Sequence, residues 1–267
     1  MFYMLFKMFE IIPLPSFQDN YIWVVKLKKS HNCVIVDPGD ANVVLNFLKK
    51  YNFNLSDILI THHHYDHTGG IKELISIYSK SNLYIPYNYN NFLHKNIIST
   101  INKNSIFIKS LNKKFSIIKT PGHTLDHISY YTDYCLFSGD TLFSGGCGRI
   151  FEGTAKQMYL SLQKLLFLPN KTKIFCSHEY TLQNLEFALS LEPNNIDIYN
   201  YFYEIKKKRK KNIITLPSNI FLEKKINPFL RCQSKELKNS LKKINRDIKS
   251  SKEIDIFSLI RKLKDQF

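Results

Sequence analysis

The sequence predicts an α/β protein whose first part is rich in β-strands and whose last part, after about residue 180, is helical. Two observations support this fold class. Short runs rich in Ile, Val, Leu, Phe and Tyr, the composition typical of strands, recur up to residue 177 and then stop. Helical patterns interleave with these runs and continue beyond them, and no internal repeat or low-complexity linker separates the two parts.

The predicted strands are short and apolar, as expected for strands buried in a sheet. In chain order they are YIWVVKL, CVIVD, DILIT, LYIP, FSIIKT, ISYYT, YCLFS and KIFCS.

The predicted helices follow a different pattern, with apolar residues at helical spacing. Gly69 and Gly70 lead into IKELISIYSK, and a second helix is predicted in GTAKQMYLSLQKLLF. EFALSL, the stretch around IDIYNYFYEIKKK and the C-terminal tail predict the helical region. Ser250 and Glu253 have the spacing of a capping box ahead of IDIFSLIRKLK, whose apolar face we assign to the core.

The composition is that of a folded protein. A chain of 267 residues allows one large domain or two ordinary ones, and 44% hydrophobic and 22% charged residues are ordinary proportions. Five scattered cysteines without a CxxC pair predict neither a disulfide framework nor a thiolate zinc site, and a reducing cytosol fits best. The opening MFYMLFKMF is too short to cross a bilayer and lacks a cleavage site. We therefore expect a cytoplasmic protein with no membrane partner.

The net charge of +16 has two interpretations. It could indicate an anionic partner such as nucleic acid, a membrane surface or an acidic substrate. Lysine, asparagine and isoleucine are abundant along the whole chain, however, which favours a bias of composition. The same bias explains KKKRKK at 206–211 as a solvated helix end, and we expect no nucleic-acid partner.

Four predicted strands are followed immediately by a polar cluster. DILIT leads to His62, FSIIKT to His123, YCLFS to Asp140 and KIFCS to His178. Loops at the ends of strands can hold polar groups in fixed positions, which is how folds usually present chemistry.

The densest cluster is THHHYDHTGG at 61–70. If this segment is extended, His62 and His64 point one way and His63 the other, while Asp66 and His67 lie beyond the turn. Imidazole and carboxylate groups are good ligands for zinc, iron and manganese. The candidate ligands are too many for one ion but suit two that share a carboxylate: His62, His64, Asp66, His67, His123, Asp140 and His178.

The HxHxDH pattern at 62–67 resembles that of the metallo-β-lactamase superfamily. Within it, the chain is similar to the glyoxalase II, or hydroxyacylglutathione hydrolase, family. The further motifs that carry this resemblance span almost the whole chain: FQDNYIW, DPGD, TPGHT, FSGDTLFSGGCGRIFEGT, SHEYT and NPFLR.

The resemblance implies a metallo-β-lactamase-like αββα sandwich with a C-terminal helical domain. It implies a catalytic domain at 1–178, in which 1–7 is a possible extension and Met8 an alternative start, and a glutathione-binding domain at 179–267. It also assigns ligands to two divalent ions, zinc or else iron or manganese. His62, His64 and His123 bind one ion, Asp66, His67 and His178 bind the other, and Asp140 bridges them.

The activity implied is hydrolysis of S-D-lactoylglutathione to D-lactate and glutathione, the second step of methylglyoxal detoxification, by a monomer. The predicted catalytic residues are Asp66, Asp140, His62 and His64. They help to hold the two metals, which lower the pKa of water toward about 7. A thiolate leaves readily, so the site needs no obvious general acid.

The resemblance places glutathione against Arg149, Tyr180 and Arg231, with Lys235 nearby. Two departures from the family pattern stand out. Ser234 lies where many relatives have lysine, and Phe151 lies where some have tyrosine. Either could weaken glutathione binding without changing the reaction.

Other residues and functions stay open at this stage. His31, His63 and His94 are assigned to solvent or to support of ligands, and His127 and Asp37 could each orient a ligand, with a turn as the alternative for Asp37. The alternative functions are a metal-dependent nuclease, a persulfide dioxygenase and a metal protein without turnover. The short tail, the NPFLR motif and the complete ligand set respectively argue against them.

Overall fold

The structure is a computed structural model, and it describes residues 9–87, 94–244 and 252–267. The possible extension at 1–7 and the alternative start Met8 lie outside these ranges. The chain divides into two compact units. The first holds the described residues up to Lys119 together with Asp126–Gly139, and the second holds Thr120–Leu125 and Asp140–Phe267.

The first sheet belongs to the first unit and has six strands in the order of the chain. Its first three strands pair antiparallel, and the remaining pairings are parallel. The strands are β1 (Phe9–Ser16), β2 (Asn20–Leu27), β3 (Asn32–Val36), β4 (Asn54–Leu59), β5 (Asn82–Ile85) and β6 (Ile97–Ser99).

Three helices accompany this sheet: α1 (Ala41–Tyr51), α2 (Tyr65–Thr68) and α3 (Ile71–Ile77). Asp40 caps α1 by accepting a hydrogen bond from the backbone N–H of Asn42, which satisfies a donor that the helix leaves open. Val44 of α1 and Leu74 of α3 pack against Val24 and Ile58 of the sheet in one apolar core.

The second sheet contains, within the first unit, four antiparallel strands in the order β10-β9-β8-β7. These are β7 (Ser105–Ile108), β8 (Lys113–Lys119), β9 (Ile128–Thr132) and β10 (Cys135–Gly139). Tyr130 of β9 is fully buried, and its hydroxyl donates to the carbonyl oxygen of Ile60, just beyond β4, at 3.0 Å. The two sheets of this unit are therefore joined directly beside the histidine cluster.

The second unit is mainly helical. Its helices are α4 (Ala155–Leu166), α5 (Thr181–Leu191), α6 (Ile196–Arg209), α7 (Ile220–Ile226), α8 (Lys235–Ile244) and α9 (Glu253–Gln266). Its strands form two antiparallel pairs, β11 (Leu142–Phe143) with β12 (Gly146–Cys147) and β13 (Lys173–Cys176) with β14 (Ser218–Asn219). A core of Leu185, Ile198, Phe202 and Ile226 joins α5, α6 and α7.

The predicted α/β class is confirmed, and each of the eight predicted strands overlaps an observed one. Two details of the prediction are wrong. The β-like runs do not end near residue 180, because β14 pairs with β13. The last helix begins at Glu253, and Lys252 occupies its N-cap position without a side-chain hydrogen bond. Glu253 is therefore the first residue of the helix and not its third, so the predicted capping box with Ser250 is wrong. Ser250 itself lies outside the described residues.

Two further observations concern the cysteines and the helices. All five cysteines are reduced and buried. Within the described ranges, no helix is both long and apolar enough to traverse a bilayer.

Candidate metal centre

The first pair of predicted ligands lies in the loop that follows β4. His62 is completely buried, and its Nε2 lies 3.2 Å from Nδ1 of His64, so the two ring nitrogens face the same point. His64 directly precedes the one-turn helix α2, where the extended segment ends. His63 points elsewhere, as the alternation of an extended segment predicts.

The second pair lies on α2 itself. Nε2 of His67 lies 3.5 Å from Oδ2 of Asp66, and His67 is buried while Asp66 is partly exposed. The side-chain amide of Asn20 donates to the same Asp66 oxygen at 2.9 Å. Asn20 belongs to the FQDNYIW motif, and this contact assigns it a purpose that the sequence alone did not reveal.

A buried carboxylate, that of Asp37, determines which ring nitrogen carries the proton in His62 and in His67. Asp37 Oδ2 lies 3.1 Å from Nδ1 of His67 and accepts the Thr61 hydroxyl hydrogen at 2.7 Å. The Thr61 oxygen in turn lies 3.0 Å from Nδ1 of His62. Because the hydroxyl proton goes to Asp37, this oxygen is left to accept the Nδ1–H of His62. Both histidines thus carry their proton on Nδ1 and keep a lone pair on Nε2.

Asp37 is a turn residue whose carboxylate also contacts a predicted ligand, so the two interpretations of the sequence are compatible. Its backbone has a φ of 52°, in the left-handed region where Asp is tolerated, so it is a turn residue. Its Oδ1 accepts the Thr61 backbone N–H at 2.8 Å, and the side chain is almost fully buried. The turn therefore aims the carboxylate at two predicted ligands, in the position that partners of metal-binding histidines usually take.

The second unit brings together the other three predicted ligands. Oδ2 of Asp140 lies 3.4 Å from Nε2 of His123 and 3.4 Å from Nε2 of His178. Nδ1 of His123 lies 2.8 Å from the carbonyl oxygen of Arg149. A carbonyl only accepts, so the proton of His123 is on Nδ1 and its Nε2 lone pair faces Asp140.

These distances provide a test of whether the residues fit a metal. Bonds from zinc to imidazole nitrogen are about 2.0–2.1 Å, so two donors on a tetrahedral ion lie about 3.3 Å apart. The four donor pairs described above are 3.2, 3.5, 3.4 and 3.4 Å apart. The described residues therefore contain histidine and aspartate groups with the composition and spacing of a divalent-metal site.

Aromatic rings surround the ligands of the second unit. The Tyr180 ring stacks on the His178 imidazole with centroids 4.7 Å apart and planes 7° from parallel. Phe143 contacts both rings edge-on. Phe151, the departure from the family pattern, lies edge-on to His123 at 5.2 Å and is 61% exposed.

The residues predicted to bind glutathione differ in their surroundings. Arg149 is 58% exposed in its side chain, and its Nε lies 3.4 Å from Oδ1 of Asp265. Arg231 is largely buried and pairs with the buried carboxylate of Glu192. Lys235 begins α8 and is exposed.

The remaining histidines have partners of their own. Nδ1 of His63 lies 2.9 Å from Asp126, and His31 and His94 contact backbone carbonyls. His127 is buried and stacks on His62 with centroids 4.9 Å apart. His127 therefore packs against a predicted ligand, as expected if it helps to orient that ring.

Four of the five cysteines are poor candidates for a nucleophile. Burial raises the pKa of the Cys33 thiol to about 12 and that of Cys147 to about 11. Burial also raises the pKa of Cys176 and of Cys232. Only a thiolate is a strong nucleophile, and these thiols stay protonated near neutral pH.

Two family profiles together match residues 17–267. Residues 17–178 match the metallo-beta-lactamase superfamily, and residues 179–267 match the hydroxyacylglutathione hydrolase C-terminus.

Similar proteins agree with this match. The chain is 43% identical to a hydroxyacylglutathione hydrolase of Psychromonas ingrahamii, covering 97% of this chain and 99% of the relative. It is 45% identical to one of Shewanella halifaxensis, covering 97% and 100%. The crystal structure of ETHE1 from Myxococcus xanthus has the same fold, with a TM-score of 0.59, 23% identity, and coverage of 96% of this chain and 99% of the other. With its mixed sheets, its helical C-terminal region and its histidine–aspartate groups, the chain belongs to the hydroxyacylglutathione hydrolase family of the metallo-β-lactamase superfamily.

Proposed function

We propose that this protein hydrolyses S-2-hydroxyacylglutathione thioesters, with S-D-lactoylglutathione as the principal substrate. The products are a 2-hydroxy acid, here D-lactate, and glutathione, as in the second step of methylglyoxal detoxification. The observation that carries this proposal is the 43–45% identity to hydroxyacylglutathione hydrolases over 97% of the chain.

The proposed centre holds two divalent ions, which we assign as zinc, with iron and manganese as alternatives. One ion is assigned to His62, His64 and His123, and the other to Asp66, His67 and His178. Asp140 is assigned as the bridge. The fixed tautomers of His62, His67 and His123 support the assignment, because each leaves an Nε2 lone pair for a metal.

The strand that precedes Asp140 ends beside the loop that holds His62. Asp140 follows Gly139 directly, so their Cα atoms are about 3.8 Å apart. A Cβ built on Gly139 would lie 2.6 Å from Oγ1 of Thr61 and 2.7 Å from Nε2 of His127. Gly139 therefore lies beside the residue that precedes His62.

When bound, the metal ions supply Lewis acidity and an activated water for attack on a carbonyl. The protein's own side chains fix the geometry. Asp37 and Thr61 orient His62 and His67, and the Arg149 carbonyl orients His123. The leaving thiolate has a conjugate acid of pKa about 8.5, so no side chain has to protonate it.

Substrate binding is proposed for Arg149, Tyr180, Arg231 and Lys235. Glutathione carries two carboxylates, which guanidinium and ammonium groups attract. Glu192 occupies part of the Arg231 fork and orients it, while the other donors of the guanidinium can serve a carboxylate. The stacking of Tyr180 on His178 holds its ring next to a proposed ligand.

The remaining assignments are proposals of the same kind. A catalytic domain at 1–178 and a glutathione-binding domain at 179–267 are supported by the ranges that the two family profiles match. Reduced, buried cysteines and a substrate derived from glutathione suit a cytoplasmic location. A monomer is predicted, and light scattering during size-exclusion chromatography measures it.

The test is a substrate panel with the purified metal-loaded protein. S-D-lactoylglutathione should release free thiol, detected with a thiol-reactive dye, whereas a phosphodiester and a β-lactam should remain intact. Cleavage of the phosphodiester with no thiol release would favour a nuclease and contradict the proposal.

The bridging role has its own matched pair of variants. Asp140→Ala should lose both bound metal and thiol release. Asp197→Ala removes a carboxylate that pairs with Lys225 on the surface of the second unit, and it should change neither. Full turnover by Asp140→Ala would contradict the assignment.

A further inference from the structure

A network of contacts ties the last helix, α9, to the segment that carries Arg149. Arg261 of α9 is 8% exposed in its side chain, and its Nη1 donates to the carbonyl oxygen of Cys147 at 3.0 Å and to that of Gly148 at 3.5 Å. These carbonyls belong to β12 and the residue after it. A buried guanidinium placed on two backbone carbonyls fixes the path of that segment.

The same segment also holds one of the proposed ligands. The next carbonyl, that of Arg149, accepts the Nδ1–H of His123 at 2.8 Å. The packing beside Gly148 is tight, since a Cβ built there would lie 1.9 Å from the carbonyl oxygen of Asp140 and 3.3 Å from Nδ1 of His123. A shift of the backbone at Cys147 and Gly148 would therefore also displace His123 and Asp140.

Asp265 lies one helical turn after Arg261 and links it to Arg149. Its Oδ1 accepts hydrogen bonds from Nε and Nη2 of Arg261 at 3.1 and 2.9 Å. The same oxygen lies 3.4 Å from Nε of Arg149. One carboxylate oxygen thus holds the buried Arg261 and the exposed Arg149 at a fixed separation.

We propose that Arg261 and Asp265 are positioning residues for the thioesterase: Arg261 acts on His123 through the backbone, and Asp265 acts on the Arg149 side chain. The inference rests on the proposed function, because that function assigns glutathione binding to Arg149. The C-terminal helix thereby gains an indirect role in substrate affinity and in metal affinity. Its Arg261 and Asp265 side chains act through other residues and contact neither the substrate nor the metal. The contact between Asp265 and Arg149 uses the Nε edge of the guanidinium, so Nη1 and Nη2 are the donors directed to a substrate carboxylate.

The two roles predict different effects in two variants. Asp265→Asn keeps the size of the side chain and removes its charge, so Arg149 loses its ionic partner while Arg261 keeps its carbonyls. KM for S-D-lactoylglutathione should rise about two- to fivefold, as for a partly exposed ion pair, with kcat and zinc affinity unchanged. Arg261→Met should also weaken zinc binding by about 10- to 100-fold, the effect typical of groups that orient a ligand.

The matched control is Lys262→Met, which removes an exposed cation from the position next to Arg261. It should leave KM and zinc affinity unchanged. Arg261→Lys keeps a charge at the buried site and should recover part of the zinc affinity. A role limited to folding would lower stability without this recovery and without a separation of KM from kcat.

The deciding measurements are KM and kcat, together with zinc affinity from competition with a chromophoric chelator. Unchanged KM in Asp265→Asn and unchanged zinc affinity in Arg261→Met, in a preparation whose wild type cleaves the thioester, would overturn this inference and leave the proposed function intact. If the wild type does not cleave the thioester, the proposed function fails, and with it the role assigned to Asp265. The zinc affinities then still decide the role of Arg261.

Discussion

Asp37 and His67 are joined by a contact of 3.1 Å between carboxylate Oδ2 and imidazole Nδ1, and both side chains are almost completely buried. The carboxylate also accepts the hydroxyl hydrogen of Thr61, whose oxygen faces His62. One side chain therefore sets the tautomer of two proposed ligands. Loss of this carboxylate should therefore lower metal affinity more than substrate affinity.

Replacing Asp37 with Asn tests this arrangement. The carboxylate accepts from the Thr61 backbone N–H with Oδ1 and from the Thr61 hydroxyl and His67 with Oδ2. An amide has only one accepting oxygen, so its NH2 group must face one of these two sets of donors, and the hold on His67 is weakened. We expect zinc affinity to fall by about 10- to 100-fold, measured by chelator competition, with little change in KM once metal is restored. Asp40→Asn is the control, because Asp40 caps α1 and Asn caps a helix equally well. Equal zinc affinity in Asp37→Asn and the wild type would refute the role of Asp37.

The contributions of the Tyr180 ring and of its hydroxyl can be tested separately. Tyr180→Phe keeps the stacking on His178 and removes only the hydroxyl. If that hydroxyl binds glutathione, KM should rise by about two- to tenfold, a hydrogen bond being worth about 0.5–1.5 kcal/mol, with bound metal unchanged. Tyr180→Ala also removes the stacking and should lower metal occupancy, measured by elemental analysis. A normal KM in Tyr180→Phe would show that the ring alone matters.

Arg231 has two possible partners, the substrate and Glu192. If it binds a substrate carboxylate, Arg231→Ala should raise KM by roughly tenfold or more and leave kcat unchanged, since hydrogen bonds to charged groups are worth about 1.5–3 kcal/mol. Lys225→Ala, which breaks a surface pair with Asp197, should leave KM as it is.

The double variant Arg231→Ala with Glu192→Gln distinguishes the two partners. Burial raises the pKa of Glu192 above its ordinary value, and the nearby Arg231 opposes this shift. If Arg231 serves only to neutralise Glu192, the second substitution should restore a normal KM. If Arg231 binds substrate, KM should stay high in steady-state assays.

The fully buried Glu223 predicts a dependence of stability on pH. Its carboxylate accepts the backbone N–H of Gly145 at 2.8 Å and the side-chain amide of Asn227 at 3.1 Å, yet burial raises its pKa above the ordinary value of 4.5. The folded protein then holds this proton more tightly than the unfolded chain. The resulting stability is fully present below the unfolded pKa and is lost as pH rises through the folded pKa.

Urea unfolding at a series of pH values measures this effect. As pH rises above about 4.5, the free energy of unfolding should fall less steeply in Glu223→Gln than in the wild type. Glu186→Gln, which changes an exposed side chain, should keep the wild-type slope. An identical slope in all three proteins would contradict the raised pKa.

Much of the fold could be predicted because buried strands have a strong apolar signal. The eight predicted strands are mostly buried ones. The first strand, β1, escaped prediction because Pro13 and Pro15 interrupt its pattern. Proline is tolerated in β1 because the strand lies at the edge of its sheet, where fewer backbone donors are needed. The two-residue strands β11, β12 and β14 are too short to have a pattern of their own.

The candidate ligands could be predicted for a different reason: they occupy the ends of predicted strands and match a family motif. Their supporting residues could not. Thr61 and Asp37 are separated by 24 positions, and Arg261 and Cys147 by 114. Only the folded chain brings such pairs within hydrogen-bonding distance, and neither arginine nor threonine at these positions signals a role by its chemistry.

The most direct test of the whole account is a zinc titration of metal-free protein with S-D-lactoylglutathione as substrate. Bound zinc and the rate of thiol release are measured on the same samples. The account predicts that thiol release rises with added zinc until two ions are bound per chain and then becomes constant. Protein that binds two ions and still leaves this thioester intact would contradict it.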